Sequence, residues 1–231
     1  MKNTEIILNQ FKKTYPNARI ALNFNNPWEL LVAVVLSAQC TDKMVNKVTE
    51  KLFQKYKKFD DYVHADLTEF EQEIKSTGFY HNKAKNILTT AKIIKEKFKD
   101  KIPNKMVDLL TLPGVARKTA NIILGNAYNI VEGIAVDTHV HRISQRLRLV
   151  DLDKIGGKKL IIFKKGNKEI IDYKKDADPN KIEQELMKVI PQKDWFKFTY
   201  MIIDHGRNIC KAQNPQCEIC PLTRYCFSSR M

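Results

Sequence analysis

Four cysteines crowd the end of the chain and constrain its fold more than any other feature. Cys210, Cys217, Cys220 and Cys226 lie within the last 22 residues, spaced C-x6-C-x2-C-x5-C. Four thiolates so placed can ligate Zn²⁺ or an iron–sulfur cluster. A structural zinc site usually pairs two short C-x-x-C units, and this segment has one short pair flanked by longer loops, so spacing leaves both metals open. Either would be a closed structural centre. The opening segment MKNTEIILNQF lacks a signal-peptide core. A reducing compartment, with metal favoured over disulfides, is therefore expected. Cys40 stands apart from the group.

The rest of the pattern is helical. Asn3 or Thr4 is expected to cap a first helix that Pro16 ends, and Asn26-Pro27 to open a second with Trp28, Leu31, Val32, Val35 and Leu36 at helical spacing. Thr41 can cap a third, and Thr68 with Glu71 has capping-box spacing. Gly78 reads as a helix stop, followed by a stripe of Ala84, Ile87, Leu88, Ala91 and Phe98. Later helices are expected at 142–149, from Asp178-Pro179, and over 195–203. No βαβ alternation is visible, so the expected class is all-α. The longest apolar run, Leu30 to Leu36, is far short of the roughly 20 residues that span a bilayer. One stretch departs from the helical pattern. Leu160–Phe163 and Glu169–Asp172 flank Lys165-Gly166-Asn167-Lys168, which predicts a small β-hairpin near 158–173.

Charge adds a partner class. Forty basic and 26 acidic residues give a net charge of +14, a field that attracts polyanions, nucleic acid first. Lysine supplies most of it, so a plain compositional bias explains the same excess. Eight lysines lie between Lys154 and Lys175. They suit a solvated insertion or an extra arm against phosphate.

The segment LTLPGVARKTANIILGNAY, residues 110–128, carries the most chemistry. A short helix, a Pro113-Gly114 turn and a second helix would aim unpaired backbone amides outward, where a phosphate fits without regard to base sequence. The plain alternative is a simple helical corner. Lys118 falls in the first turn of the second helix. A helix N-terminus, nearby Arg117 and partial burial would all favour its neutral, nucleophilic form, which can make a Schiff base with a sugar aldehyde. As a surface lysine it would instead contact phosphate. In IAVDTHVHRISQRL, Asp137 precedes another helix and reads as an N-cap. A carboxylate so fixed can also stabilise positive charge on a sugar or move a proton. His139 and His141 read as helix-surface or packing residues.

Together these segments resemble the endonuclease III family of helix-hairpin-helix DNA glycosylases. LPGVARKTAN is similar to the catalytic hairpin, AVDTH to the aspartate segment, and HGRNIC with the following cysteines to the [4Fe-4S] motif. LLVAVVLSAQCTDKMVN resembles a further family segment. The resemblance implies a two-domain all-α fold. One domain would be a six-helix barrel over 21–133, and the other an iron–sulfur domain from 1–20 plus 134–231, with a cleft between them. It implies a monomer acting on double-stranded DNA that holds damaged pyrimidines or abasic sites, in a bacterial cytoplasm at the nucleoid. Lys118 and Asp137 are then catalytic. Gln39, Phe79, Gly114, Val115, Ala116, Arg117 and Lys211 would contact DNA, with Gln39 filling the hole left by a flipped base and Phe79 standing where relatives carry a Leu wedge.

Three departures stand against the family pattern. Ala116 replaces a common hairpin glycine, Phe79 replaces the Leu, and the 151–178 region is longer than usual. Two rival functions share some of these features. A monofunctional adenine-mismatch glycosylase would normally lack Lys118. A non-catalytic DNA-binding module with a zinc-stabilised tail would leave the pairing of Lys118 with Asp137 unexplained.

Overall fold

The structure is a computed structural model that describes residues 2–231. The chain divides into two compact units, residues 20–132 and residues 1–19 with 133–231.

The 20–132 unit is built around one apolar helix. Helix α2 (Pro27–Leu36) has Trp28 and the whole of Leu30–Leu36 buried, and it packs against α3 (Asp42–Lys55), α6 (Tyr80–Phe98) and α8 (Arg117–Tyr128). A helix apolar all round belongs inside a core. Its start is set locally: the Asn26 side chain accepts from the Glu29 amide at 2.9 Å, with Pro27 in the first turn. Thr41 caps α3 in the same way through Met44 N at 3.3 Å. Short α4 (Phe59–Val63) and α5 (Leu67–Ile74) pack against α6. The expected Thr68–Glu71 box is not formed. Asp66, two residues earlier, accepts from Glu69 N at 2.9 Å, and Glu71 pairs with His81. A 3-10 turn over Lys75–Thr77 ends at Gly78, whose φ of 69° suits a helix stop. Helix α7 (Met106–Leu109) leads through Pro113-Gly114 into α8.

The other unit contains α1 (Lys2–Thr14), α9 (Thr138–Arg146), strands β1 (Leu160–Lys165) and β2 (Lys168–Lys174), α10 (Pro179–Val189) and α11 (Trp195–Asn208). Helix α1 packs on α11, α11 on α9, and α9 on β2 and α10. Asn3 and Thr4 lie inside α1 rather than capping it, because the helix already runs from Lys2. Helix α9 stops at Arg146, short of the expected Leu149, because Arg148 turns to a φ of 52°. Helix α11 runs past Ile203 to Asn208 and so reaches the cysteine segment.

The β-hairpin forms as expected, antiparallel, with one irregularity between Ile161 and Ile162. The extra residue opposite it is Asp172, fully buried, where it meets Arg146. A bulge re-aims a side chain in this way. Arg146 is 1% exposed, and its Nε and Nη2 donate to the two carboxylate oxygens of Asp172 at 2.9 and 2.7 Å. Burial alone would lower the guanidinium's pKa, but the Asp172 bonds and the nearby Cys210 outweigh it and leave it raised. The hairpin is thus tied into the unit rather than hanging from it.

Removing one half of a buried pair strands the other's charge, so Asp172→Ala should cost about 3–5 kcal/mol. Arg146→Met with Asp172→Leu should cost less than that single change. Urea midpoints of Asp172→Ala and the double variant check this.

Candidate nucleic-acid interface and metal centre

The corner from Met106 to Tyr128 is braced from behind by α6. Thr90 Oγ1 donates to Pro113 O at 3.2 Å. Gly114 has a φ of 77°, which favours glycine, and a Cβ there would stand 3.0 Å from the Asn86 side-chain nitrogen, which would have to shift. Val115 donates to Leu112 O at 3.1 Å, and its side chain is buried in the core. Its amide is therefore engaged within the turn and its side chain within the core. Ala116 is the N-cap of α8 at φ −84° and supplies no side-chain acceptor. The first amides of α8 therefore lack a capping side chain, and such a helix start attracts anions. Ala116 needs no left-handed backbone, so its methyl is accommodated without strain.

Lys118 lies in the first turn of α8 and is exposed, while Arg117 beside it is half-buried. The expected partial burial of Lys118 is not formed by the protein, since the side chain projects from an open helix start. Asp137 is the N-cap of α9, as its spacing suggests. Its Oδ1 accepts from His139 N at 2.9 Å and from Val140 N at 2.7 Å. Both bonds fall on one oxygen and hold the carboxylate in a fixed orientation. His139 and His141 serve α9 as packing and hydrogen-bonding residues: His141 Nε2 lies 3.0 Å from Ala177 O, and Arg142 Nη2 lies 3.3 Å from His139 Nδ1.

Gln39 and Phe79, both in the 20–132 unit, share an unusual backbone. Gln39 turns at φ 54° after α2, and Phe79 at φ 49° before α6. Non-glycine residues held in this region store about 1–3 kcal/mol of strain and cluster at functional sites. Phe79 is also 65% exposed, which overturns the alternative that it is a buried aromatic behind a helix stop. Lys211 is exposed on the cysteine segment. A separate concavity of about 650 Å³ in the same unit is lined by Trp28, Tyr56, Phe59, Tyr62 and Tyr128 among others. None of the candidate residues lines it.

The four C-terminal cysteines line one cavity with His205, Ile143, Leu147 and Arg146. Arg146 Nη1 lies 3.3 Å from Cys210 Sγ and donates to Lys211 O at 2.7 Å. His205 Nε2 sits 3.6 Å from Cys220 Sγ, and its Nδ1 is 2.9 Å from the Tyr15 hydroxyl. Burial holds His205 at about 4, reinforced by Arg142. The imidazole is thus held toward its neutral form, with Nδ1 facing the Tyr15 hydroxyl and Nε2 facing Cys220 Sγ. Burial raises the Cys220 thiol and pushes Cys226 up to about 12.

Bare thiolates are thus disfavoured, and a cationic metal centre would reverse that. Among the described residues, no three His, Cys, Asp or Glu side chains converge to hold a single ion. Four thiols around one cavity suit a multi-iron cluster, each corner taking one sulfur. Sequence reasoning missed Arg146, Asp172, His205 and Tyr15. Helix 142–149 was recognised, but an arginine between Ile143 and Leu147 on its apolar face was the unread signal.

A helical corner with open amides beside a lysine, and a separate cysteine-lined cavity, define a class. Residues 32–160 match the HhH-GPD superfamily of base excision DNA repair proteins, and residues 210–226 match the iron–sulfur binding domain of endonuclease III. The endonuclease III of Synechocystis sp. is 46% identical over 227 residues, covering 98% of this chain and 92% of the relative. A solved non-covalent endonuclease III–DNA complex is 40% identical with a TM-score of 0.84, covering 98% of this chain and 94% of its own. A trapped endonuclease III–DNA covalent intermediate, an estranged-adenine complex, is 39% identical with a TM-score of 0.85, covering 100% and 98%. The chain belongs to the endonuclease III family, and its cofactor is an iron–sulfur cluster. No helix among the described residues is long and apolar enough to cross a membrane.

If the four thiols hold that cluster, Cys220→Ser should lower iron per chain and weaken the visible charge-transfer band. Full iron content with an unchanged spectrum would remove Cys220 from the ligand set.

Proposed function

We propose that this chain is a bifunctional DNA glycosylase and abasic-site lyase of base excision repair, acting on oxidised pyrimidines in double-stranded DNA. The observation that carries the reading is Lys118. An exposed amine stands in the first turn of a helix whose opening amides have no capping side chain, in a chain of the endonuclease III family. The backbone amides of Gly114, Ala116 and Arg117 take a DNA phosphate without reading sequence, and Val115, whose amide is held by Leu112 O, shapes the turn between them. The damaged nucleotide is flipped out of the stack. Gln39 enters the space that the base leaves, and Phe79 wedges beside it. Lys211 adds a phosphate contact from the cysteine segment.

Chemistry then falls to two residues. The Lys118 amine attacks C1′ as the bond from C1′ to the base breaks; the amine gives up a proton and the departing base takes one up. Asp137 offsets the positive charge that grows on the sugar, and its fixed N-cap geometry means no reorientation is needed as that charge forms. Opening of the sugar ring gives an iminium between Lys118 and C1′. Loss of the C2′ proton then drives out the 3′ phosphate by β-elimination, and water frees the lysine.

Cys210, Cys217, Cys220 and Cys226 hold the cluster, which we read as [4Fe-4S]. When bound it supplies structural closure of the C-terminal segment. The bacterial relatives suit action in a bacterial cytoplasm, at the nucleoid.

Borohydride trapping on duplex DNA with one abasic site tests the reading. Wild type should give a covalent adduct, and Lys118→Ala none. Asp137→Asn should keep its fold and lose about 10²–10⁴-fold in base release. An adduct of undiminished yield with Lys118→Ala would place the amine elsewhere.

A further inference from the structure

Lys83 lies in the first turns of α6, yet it is only 4% exposed. Its ammonium donates to two backbone carbonyls, Leu36 O and Thr77 O, both at 2.8 Å. Leu36 is the last residue of α2, and Thr77 closes the 3-10 turn before Gly78. Carbonyls at helix ends lack an intrahelical donor, so one amine satisfies two groups that would otherwise be buried and unpaired. Burial lowers the Lys83 pKa, and the nearby Cys40 partly offsets that effect.

The two carbonyls occupy particular places. Leu36 is three residues before Gln39, and Thr77 two before Phe79. Ser37 and Ala38 bond back into α2, and Cys40 N donates to Ser37 O at 3.1 Å, so the Gln39 turn is hydrogen-bonded on both sides of Gln39. On the other side Lys83 N closes the first turn of α6 by donating to Phe79 O at 3.2 Å. Lys83 thus holds Phe79 through its backbone and Thr77 through its side chain. It joins two turns remote in sequence, each carrying a left-handed residue.

We propose that Lys83 is a positioning residue for DNA engagement: its single ammonium fixes the spacing between the Gln39 turn and the Phe79 turn. This rests on the functional reading above, which sends both side chains into the duplex stack. Lys83 itself touches no DNA. Its methylene stem packs inside the unit, and only its amine sets the register of the two turns. A lysine suits the task because three rotatable donors can serve carbonyls from two directions.

The test compares substrates that need the stack residues with one that does not. A single-stranded abasic site has no opposite base and no stack to fill, so its cleavage should not depend on Gln39 or Phe79. Lys83→Met keeps the stem and removes the donors, and Lys83→Gln keeps an amide donor without the charge. Folding is checked by circular dichroism and the visible cluster band. Base release from a damaged duplex should fall about tenfold to a hundredfold in single turnover for Lys83→Met. Lyase cleavage of the single strand should stay within about twofold of wild type. A fluorescent base analogue placed beside the lesion should report less unstacking.

Equal losses on both substrates would overturn the proposal, as would no loss on either. Failure of both variants to fold would also overturn it, because Lys83 would then serve the fold as a whole. Phe79→Ala and Gln39→Ala run alongside. If both leave duplex base release unchanged, the reading of those side chains fails and the proposal fails with it. If they impair the duplex reaction and the Lys83 variants do not, the proposal alone fails.

Discussion

The buried pair of Arg146 and Asp172 is the contact on which the 1–19 and 133–231 unit is organised. Arg146 ends α9, Asp172 sits at the bulge of the hairpin, and the same guanidinium reaches Cys210 Sγ, Lys211 O and Ala212 O. Three segments distant in sequence therefore meet on one side chain. A charge so deeply buried tolerates little movement, because every donor must stay satisfied. Asp137 caps the other end of the same nine-residue helix. At 1.5 Å per residue the two lie roughly 13 Å apart along its axis. The cysteine segment and the hairpin thus fix the helix that holds the candidate carboxylate. A structural cluster can in this way matter to catalysis without touching substrate.

Much of this was legible in the sequence because much of it is local. Asn26, Thr41 and Asp178 cap the helices that their spacing predicts, and Gly166 turns the hairpin at φ 59°. Asp137 is an N-cap, and the four cysteines share a cavity. The box expected at Thr68 and Glu71 shows the limit of pattern. Asp66 offers an equally good acceptor two residues earlier, and the chain preceding α5 takes it. Two residues of apparently ordinary type were unreadable for another reason. Lys83 and Arg146 sit in helices where a lysine or arginine reads as a solvated face. Their partners are 47 and 26 positions away, and no local period records such a bond. Lys118 shows the converse: its helical position was legible, but its exposure was not.

Gln39 and Phe79 show what the backbone adds to a side-chain argument. The residues alone suggest a polar helix end and an aromatic after a stop. The left-handed angles show that both are held against local preference, and only surrounding structure can hold them so. That supporting structure includes Gly78, whose positive φ starts the approach to Phe79, and Lys83, which grips both turns. An unstrained, mobile loop would have to be ordered each time it met a duplex. Under the proposed reading, strain stored in advance removes that ordering cost from binding.

The bare N-cap at Ala116 has a consequence for how such a surface can change over generations. The groups proposed to bind an anion there are main-chain amides, which every residue but proline provides. Most substitutions at 116 and 117 would therefore leave the donors in place and alter only what surrounds them. Drift in side chains can adjust crowding and charge at this corner while the underlying chemistry stays out of reach of ordinary point mutation. Gly114 is the exception, because its φ of 77° and its closeness to Asn86 tie the path of the main chain to one residue.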